Sequence, residues 1–170
     1  MTARSYDRLV CPIARSLSIL GEQWTLLILR DALFGYSRFE EFQSSLGVSR
    51  NLLSRRLGEM VEAGLLERRP LHEGARRHEY LATEKARGLL PVLLALGQWK
   101  ERWEPSETGP RVLPLDPESG EPVSVRLMPR GAGRGVPPRD VVIAPGPGAD
   151  DRLRERLARI IKGTQSLVSG

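Results

Sequence analysis

The chain has 170 residues, a length that suits one compact domain with an extension or with a small second domain. Hydrophobic residues make up 40% and charged residues 28%, which permits a buried core and excludes a wholly disordered chain. The formal charge is +5, and the single cysteine, Cys11, excludes an intrachain disulfide framework. No apolar run reaches transmembrane length and residues 1–10 hold no apolar signal core, which predicts a cytoplasmic protein.

The first part of the chain is predicted to be helical. Ala14, Leu17 and Leu20 recur at helical spacing and predict a short first helix. Residues 24–34 are apolar around most of a helical circumference, so this second helix should be largely surrounded by protein and should end at Gly35.

Two short helices joined by a tight turn are predicted next. Ser37 and Glu40 have the spacing of a capping box, which predicts the start of the third helix. A turn at Gly47 follows, and Ser49 is predicted to cap a fourth helix over residues 50–63.

A β-hairpin and a strongly apolar helix complete the predicted first domain, residues 1–103. The hairpin strands are expected at 65–69 and 78–81, with Gly74 near the tip of the loop. The following helix begins at Thr83-Glu84, and Pro91 should either kink it or mark a restart.

Ten of the 13 prolines lie beyond residue 104, which predicts a boundary there and a separate extension over 104–170. Short strands are expected at 123–127 and 140–144, followed by an amphipathic helix at 150–162. The predicted fold class is therefore mainly α with a small β-hairpin wing, a winged helix-turn-helix, plus a β-rich C-terminal extension and a terminal helix.

The fourth helix carries the main functional prediction. With Leu53 at the centre of the buried face, a rotation of about 100° per residue places Leu57 and Met60 on the same face. The side chains left exposed near the N-terminal end are donor-rich and suit base edges and phosphates. They are Arg50, Asn51, Ser54 and Arg55. The pattern predicts a recognition helix that enters the major groove of DNA by its N-terminal end.

Basic residues concentrate in the same part of the chain. From Arg50 to Arg77 there are seven arginines against four glutamates, a local net charge of +3. Arg76 and Arg77 lie in the hairpin loop, where they would reach the DNA backbone as a wing. A charge run is more often only a solvated surface, so the arginines support DNA binding only together with the helix-turn-helix order.

Several segments, in order and spacing, resemble the HxlR-type winged-helix regulators. The segments are Cys11–Ala14, Leu20–Arg30, Phe34–Gln43, Val48–Leu57 and Glu62–Leu66. The resemblance covers roughly residues 10–103. It departs from the family signature at Ala82 and Ala86, where the family usually has Leu and Gly, which leaves the junction between wing and helix open.

The resemblance implies a homodimer that binds operator DNA, built through the N-terminal helix and the long helix after the wing. The expected DNA-binding residues are Arg38, Ser49, Arg50, Asn51, Ser54, Arg55, Arg76 and Arg77. The expected dimer contacts are Leu93, Leu96, Trp99 and Trp103.

Cys11 matches the N-terminal cysteine with which some relatives sense electrophiles or oxidants; the plainer alternative is a small buried side chain. The extension resembles a cysteine-free version of one that carries a small zinc ribbon in some relatives, so a thiolate zinc site is excluded there. Neither a metal nor another cofactor is predicted, and an effector remains unidentified.

The predicted function is a sequence-specific transcriptional regulator, a homodimeric repressor on a pseudo-palindromic operator, responsive to an effector or to redox state. The first alternative is a winged-helix protein-interaction module without DNA binding. The second is an enzyme whose active site lies in the extension, near Asp116, Glu118 or Asp140. The sequence holds no nucleophile elbow, phosphate loop or dinucleotide fingerprint, which argues against an enzyme and predicts no catalytic residues.

Overall fold

The structure is a computed structural model that describes residues 11–73, 75–131 and 133–158. A helical part with one hairpin precedes a segment rich in turns. The elements are α1 (Pro12–Leu20), α2 (Thr25–Leu33), α3 (Phe39–Leu46), α4 (Arg50–Glu62), β1 (Leu66–Pro70), β2 (His78–Ala82), α5 (Glu84–Arg87) and α6 (Leu90–Trp103). The mainly helical prediction with a two-stranded wing is confirmed.

The wing is an antiparallel hairpin in which Leu66 pairs with Ala82 and Pro70 pairs with His78. Only Leu66 of β1 is buried, because that end of the strand lies against the helices while the rest extends into solvent. The predicted strand positions are confirmed to within one residue at each end.

One hydrophobic core joins α2, α3, α4 and the base of the wing. Its largest fully buried side chains are Phe42, Ile28, Leu29, Leu53, Leu57, Leu65 and Leu66. Helix α2 is buried on the side of Ile28 and Leu29, whereas Leu27 reaches solvent, so protein surrounds it incompletely. The turn between α3 and α4 is formed by Gly47, whose positive φ of 64° favours a residue without a side chain.

The start of α3 differs from the prediction by one residue. Arg38, and not Ser37, is the N-cap, and Glu41 takes the role expected of Glu40. The Glu41 carboxylate accepts hydrogen bonds from the backbone N–H of Ser37 at 2.9 Å and of Arg38 at 2.8 Å. These donors, chiefly the one on Arg38, lower the pKa of Glu41. The predicted capping box was wrong because both residue types occur at neighbouring positions.

The junction between wing and helix is firmly anchored despite its departures from the family signature. The Thr83 hydroxyl accepts from the Ala86 N–H at 3.3 Å and donates to the Gly64 carbonyl at 2.8 Å. Ala86 is fully buried in the core. Pro91 lies in the first turn of α6, so it marks a restart of the helix and does not kink one.

The predicted strands of the extension are wrong. Over the described part of residues 104–158 the structure contains no strand, only an isolated bridge between Leu115 and Pro122. The backbone N–H of Val123 donates to the Pro114 carbonyl, and that of Val125 donates to the Gln98 side chain. Neighbouring backbone groups therefore have unrelated partners, and the frequent prolines remove the donors that a continuous ladder needs.

Two compact units divide the chain between residues 125 and 126, so residues 104–125 group with the helical part. The division of roles at residue 104 stays a prediction. In the second unit Pro138–Asp140 form a short 3-10 helix and residues 151–158 are helical, with Asp150 accepting from the Leu153 N–H at 2.8 Å. The rest of the predicted terminal helix, 159–162, lies outside the described residues. No helix in the described ranges is long and apolar enough to cross a membrane.

Candidate DNA-binding surface

Helix α4 has one buried apolar face and one exposed polar face. Leu53, Leu57 and Met60 are buried, as the helical rotation predicted. Ser49 begins the helix, and its hydroxyl accepts from the Leu52 N–H at 3.4 Å. The packing therefore fixes which side of the helix faces solvent.

All eight predicted DNA-binding side chains are exposed. They are Arg38, Ser49, Arg50, Asn51, Ser54, Arg55, Arg76 and Arg77. Exposure at these positions is necessary for a contact with DNA, but it does not itself test their role.

The starts of α3 and α4 lie beside each other. The Arg50 guanidinium stacks over the Phe39 ring, 5.3 Å from its centroid. Arg38, the preceding residue, forms a backbone bridge with Glu79 of β2, and the Tyr80 N–H donates to the Ser37 carbonyl at 2.7 Å. These contacts bring Arg38 and Arg50 together at the foot of the wing. The stacking on Phe39 was not foreseen, because Phe39 was expected in the core and is only half-buried.

Arg76 and Arg77 stand in the loop between the strands. The Leu71 N–H donates to the Arg77 carbonyl at 3.1 Å and closes the base of this loop. In the described ranges neither arginine side chain forms an ion pair. No described contact links them to α4, so the convergence of wing and helix on one DNA duplex stays a prediction.

Two of the seven arginines counted in this region are paired with carboxylates. Arg56 has only 11% of its side chain exposed, lies 2.5 Å from the Glu22 carboxylate and also binds Glu59. Arg69 lies 2.7 Å from Glu67, and this hydrogen bond lowers the pKa of the Glu67 carboxyl. Charge counting could not separate these arginines from the free ones, since the Glu22 partner lies 34 positions away.

The exposed apolar residues of α6 form a different kind of surface. Trp99 is 60% and Trp103 is 67% exposed, and Leu96 is also exposed. Leu93, the fourth predicted dimer contact, is half-buried and packs against the core of its own subunit. Helix α1 likewise buries no residue and exposes Ile13 and Leu17.

The remaining candidate positions show no built chemical site. Cys11 is exposed at the N-cap of α1, so the small-buried-residue alternative is wrong, while its sensing role stays a prediction. Asp116 accepts from the Ser119 hydroxyl at 2.7 Å and from the Glu118 N–H at 3.2 Å. These bonds, the hydroxyl first, lower the pKa of Asp116 and close a turn. In the described ranges no group of His, Cys, Asp and Glu side chains could hold a metal ion.

A helix-turn-helix pair followed by a hairpin over one core defines a winged-helix protein. The sequence profile of the HxlR-like helix-turn-helix family matches residues 19–108. The chain is 39% identical over 141 residues to an uncharacterized HTH-type transcriptional regulator of Mycobacterium tuberculosis, Rv3095, and the match covers 83% of this chain and 89% of the relative.

Two solved structures are also similar, and both are described as candidate transcription factors. PA1607 has a TM-score of 0.73 at 36% identity, with 82% of this chain and 98% of that chain covered. PA1374 from Pseudomonas aeruginosa has a TM-score of 0.60 at 42% identity, with 86% and 99% covered. The chain belongs to the HxlR-like helix-turn-helix family, a family of transcriptional regulators and not of enzymes.

Proposed function

We propose that this family member is a homodimeric repressor that binds a pseudo-palindromic DNA operator. The observation that carries the proposal is the two-sided packing of α4, which holds Leu53, Leu57 and Met60 inside and leaves a donor-rich N-terminal half outside. A dimer bound at two successive grooves would exclude other proteins from that DNA, which is the basis for proposing repression.

In this proposal α4 reads the bases. Asn51 and Arg55 are one helical turn apart on the exposed side, and amide and guanidinium groups form paired hydrogen bonds with adenine and guanine edges. The Arg55 side chain lies 4.0 Å from Glu59, an exposed and weak ion pair that DNA can displace. Arg50 and the uncapped backbone N–H groups at the helix start bind phosphate.

The wing supplies contacts that do not depend on sequence. Arg76 and Arg77 are exposed and have no ion-pair partner among the described residues, so phosphate binding breaks no existing interaction. Arg38 adds a cation at the foot of the wing. Contacts of this kind set the position of the protein on the duplex and make affinity depend on salt.

The second subunit is proposed to cover the apolar residues of α1 and α6. Leu96, Trp99 and Trp103 present large apolar side chains to water, and tryptophans frequently dominate the energy of interfaces. Such a twofold partner also supplies the second recognition helix. We propose that this dimer acts on the chromosome in the cytoplasm, and that modification of the exposed Cys11 thiol adjusts it.

The experiment is selection of bound duplexes from a random DNA library by the full chain. The proposal expects an inverted repeat whose half-site centres lie about 34 Å, one helical turn of DNA, or a multiple of that distance apart. A selected pool without any shared sequence would contradict the proposal and would favour a protein-interaction module.

A further inference from the structure

A cavity of about 220 Å³ lies where the end of α1 and the start of α2 meet α4 and the turn after it. Its lining is mixed. Met60 and Ala63 contribute apolar groups, whereas Thr25, Glu22 and Arg56 contribute polar ones. An apolar cavity of about 150 Å³ already accommodates benzene, so this one has room for a substituted ring.

Arg56 is the unusual member of the lining. Its two terminal nitrogens bind Glu22 and Glu59, while its Nε atom is buried and has no hydrogen-bond partner among the described residues. A buried donor without an acceptor is unfavourable, so the site favours a molecule that brings one.

The charge of this cluster limits which acceptor fits. One guanidinium stands between two carboxylates, a formal charge of −1, so a carboxylate ligand would be repelled. A neutral carbonyl oxygen accepts the Nε–H without that repulsion.

We propose that this cavity binds a small neutral aromatic carbonyl compound, with its ring against Met60 and Ala63 and its oxygen on the Nε–H of Arg56. The site is separate from the exposed DNA-binding side chains, although Arg56 directly follows Arg55 on α4. Occupancy therefore acts on the helix that reads DNA. This regulatory consequence rests on the proposed function, whereas the binding site itself does not.

The binding test uses acetophenone as the probe and the full ¹⁵N-labelled chain, followed by NMR. The proposal expects saturable shifts of the Thr25, Met60 and Ala63 amides. Ethylbenzene, which has a similar shape and no acceptor, should bind about tenfold more weakly, as expected for a hydrogen bond to a charged donor. Equal binding of both compounds, or no saturable shift, would overturn the proposal.

Two variants locate the site. Ala63→Met fills the cavity and should abolish the acetophenone shifts, whereas Arg56→Lys removes the Nε–H, keeps the charge and should weaken binding about tenfold. Arg55→Lys is the matched control outside the cavity and should bind like the wild type. Unchanged acetophenone affinity in both Ala63→Met and Arg56→Lys would overturn the assignment.

A separate titration with a selected DNA duplex tests the coupling. Saturating acetophenone should change the affinity of the wild type for DNA and leave that of Ala63→Met unchanged. If the chain binds no DNA, the proposed function fails while the NMR result still stands. If DNA binds but acetophenone has no effect on it, only the coupling is overturned.

Discussion

Helix α4 and helix α6 expose opposite kinds of surface from the same small domain. Helix α4 buries three apolar side chains and exposes charged and amide groups, so its own subunit already satisfies its packing. Helix α6 buries none completely and exposes Leu96, Trp99 and Trp103. The first surface suits a polyanion and the second suits another apolar surface, so the domain is completed by two different partners.

The largest effect should come from the buried side of α4. Leu57→Ala leaves a cavity in the core and is expected to lower the free energy of unfolding by about 3 kcal/mol. Ser54→Ala, on the exposed side of the same helix, should stay within about 0.5 kcal/mol. Urea unfolding measures both, and similar values for the two would contradict the two-sided account of α4.

The apolar surface of α6 should decide the assembly. Trp99→Ala is expected to weaken the dimer by about 2 kcal/mol, roughly 30-fold in the dissociation constant, because a large exposed ring loses its cover. Sedimentation at several concentrations measures this. Glu101→Ala, on the exposed part of the same helix, is the control and should change little. A wild type that is monomeric at every concentration would refute the role given to α6.

The wing should act through charge alone. Arg76→Ala is expected to weaken binding to all DNA sequences similarly and to reduce the slope of log affinity against log salt by about 0.9. Arg69→Ala is the control, because Arg69 is already paired with Glu67 and should alter the slope less. Equal slopes for Arg76→Ala and the wild type would place Arg76 away from the DNA.

The smallest effect concerns the start of α3, where backbone donors lower the pKa of Glu41. Because the folded pKa lies below the unfolded one, the stabilisation is present above the unfolded pKa and is lost as pH falls through the folded value. Glu41→Gln should therefore melt at a lower temperature than the wild type near about pH 6, and the gap should close near about pH 3. Glu40→Gln is the control. A gap that persists unchanged at acid pH would contradict the capping role.

The sequence predicts the two-sided helix and the wing because their signals are local. A capping Ser49, a turn glycine at Gly47 and apolar spacing need no distant partner. The pairing of Arg56 with Glu22 joins residues far apart in sequence, so no local pattern shows it. The extension misled the prediction because alternation at 123–127 indicates a strand only where a neighbouring strand exists.

The central claim, that the exposed N-terminal half of α4 reads DNA sequence, is tested most directly by one pair of titrations. The variant Asn51→Ala/Arg55→Ala and the wild type are each titrated with the selected duplex and with a scrambled duplex. The account predicts that the variant loses about 1–3 kcal/mol of discrimination for each base contact removed, while its affinity for the scrambled duplex changes far less. Discrimination equal to that of the wild type would contradict it.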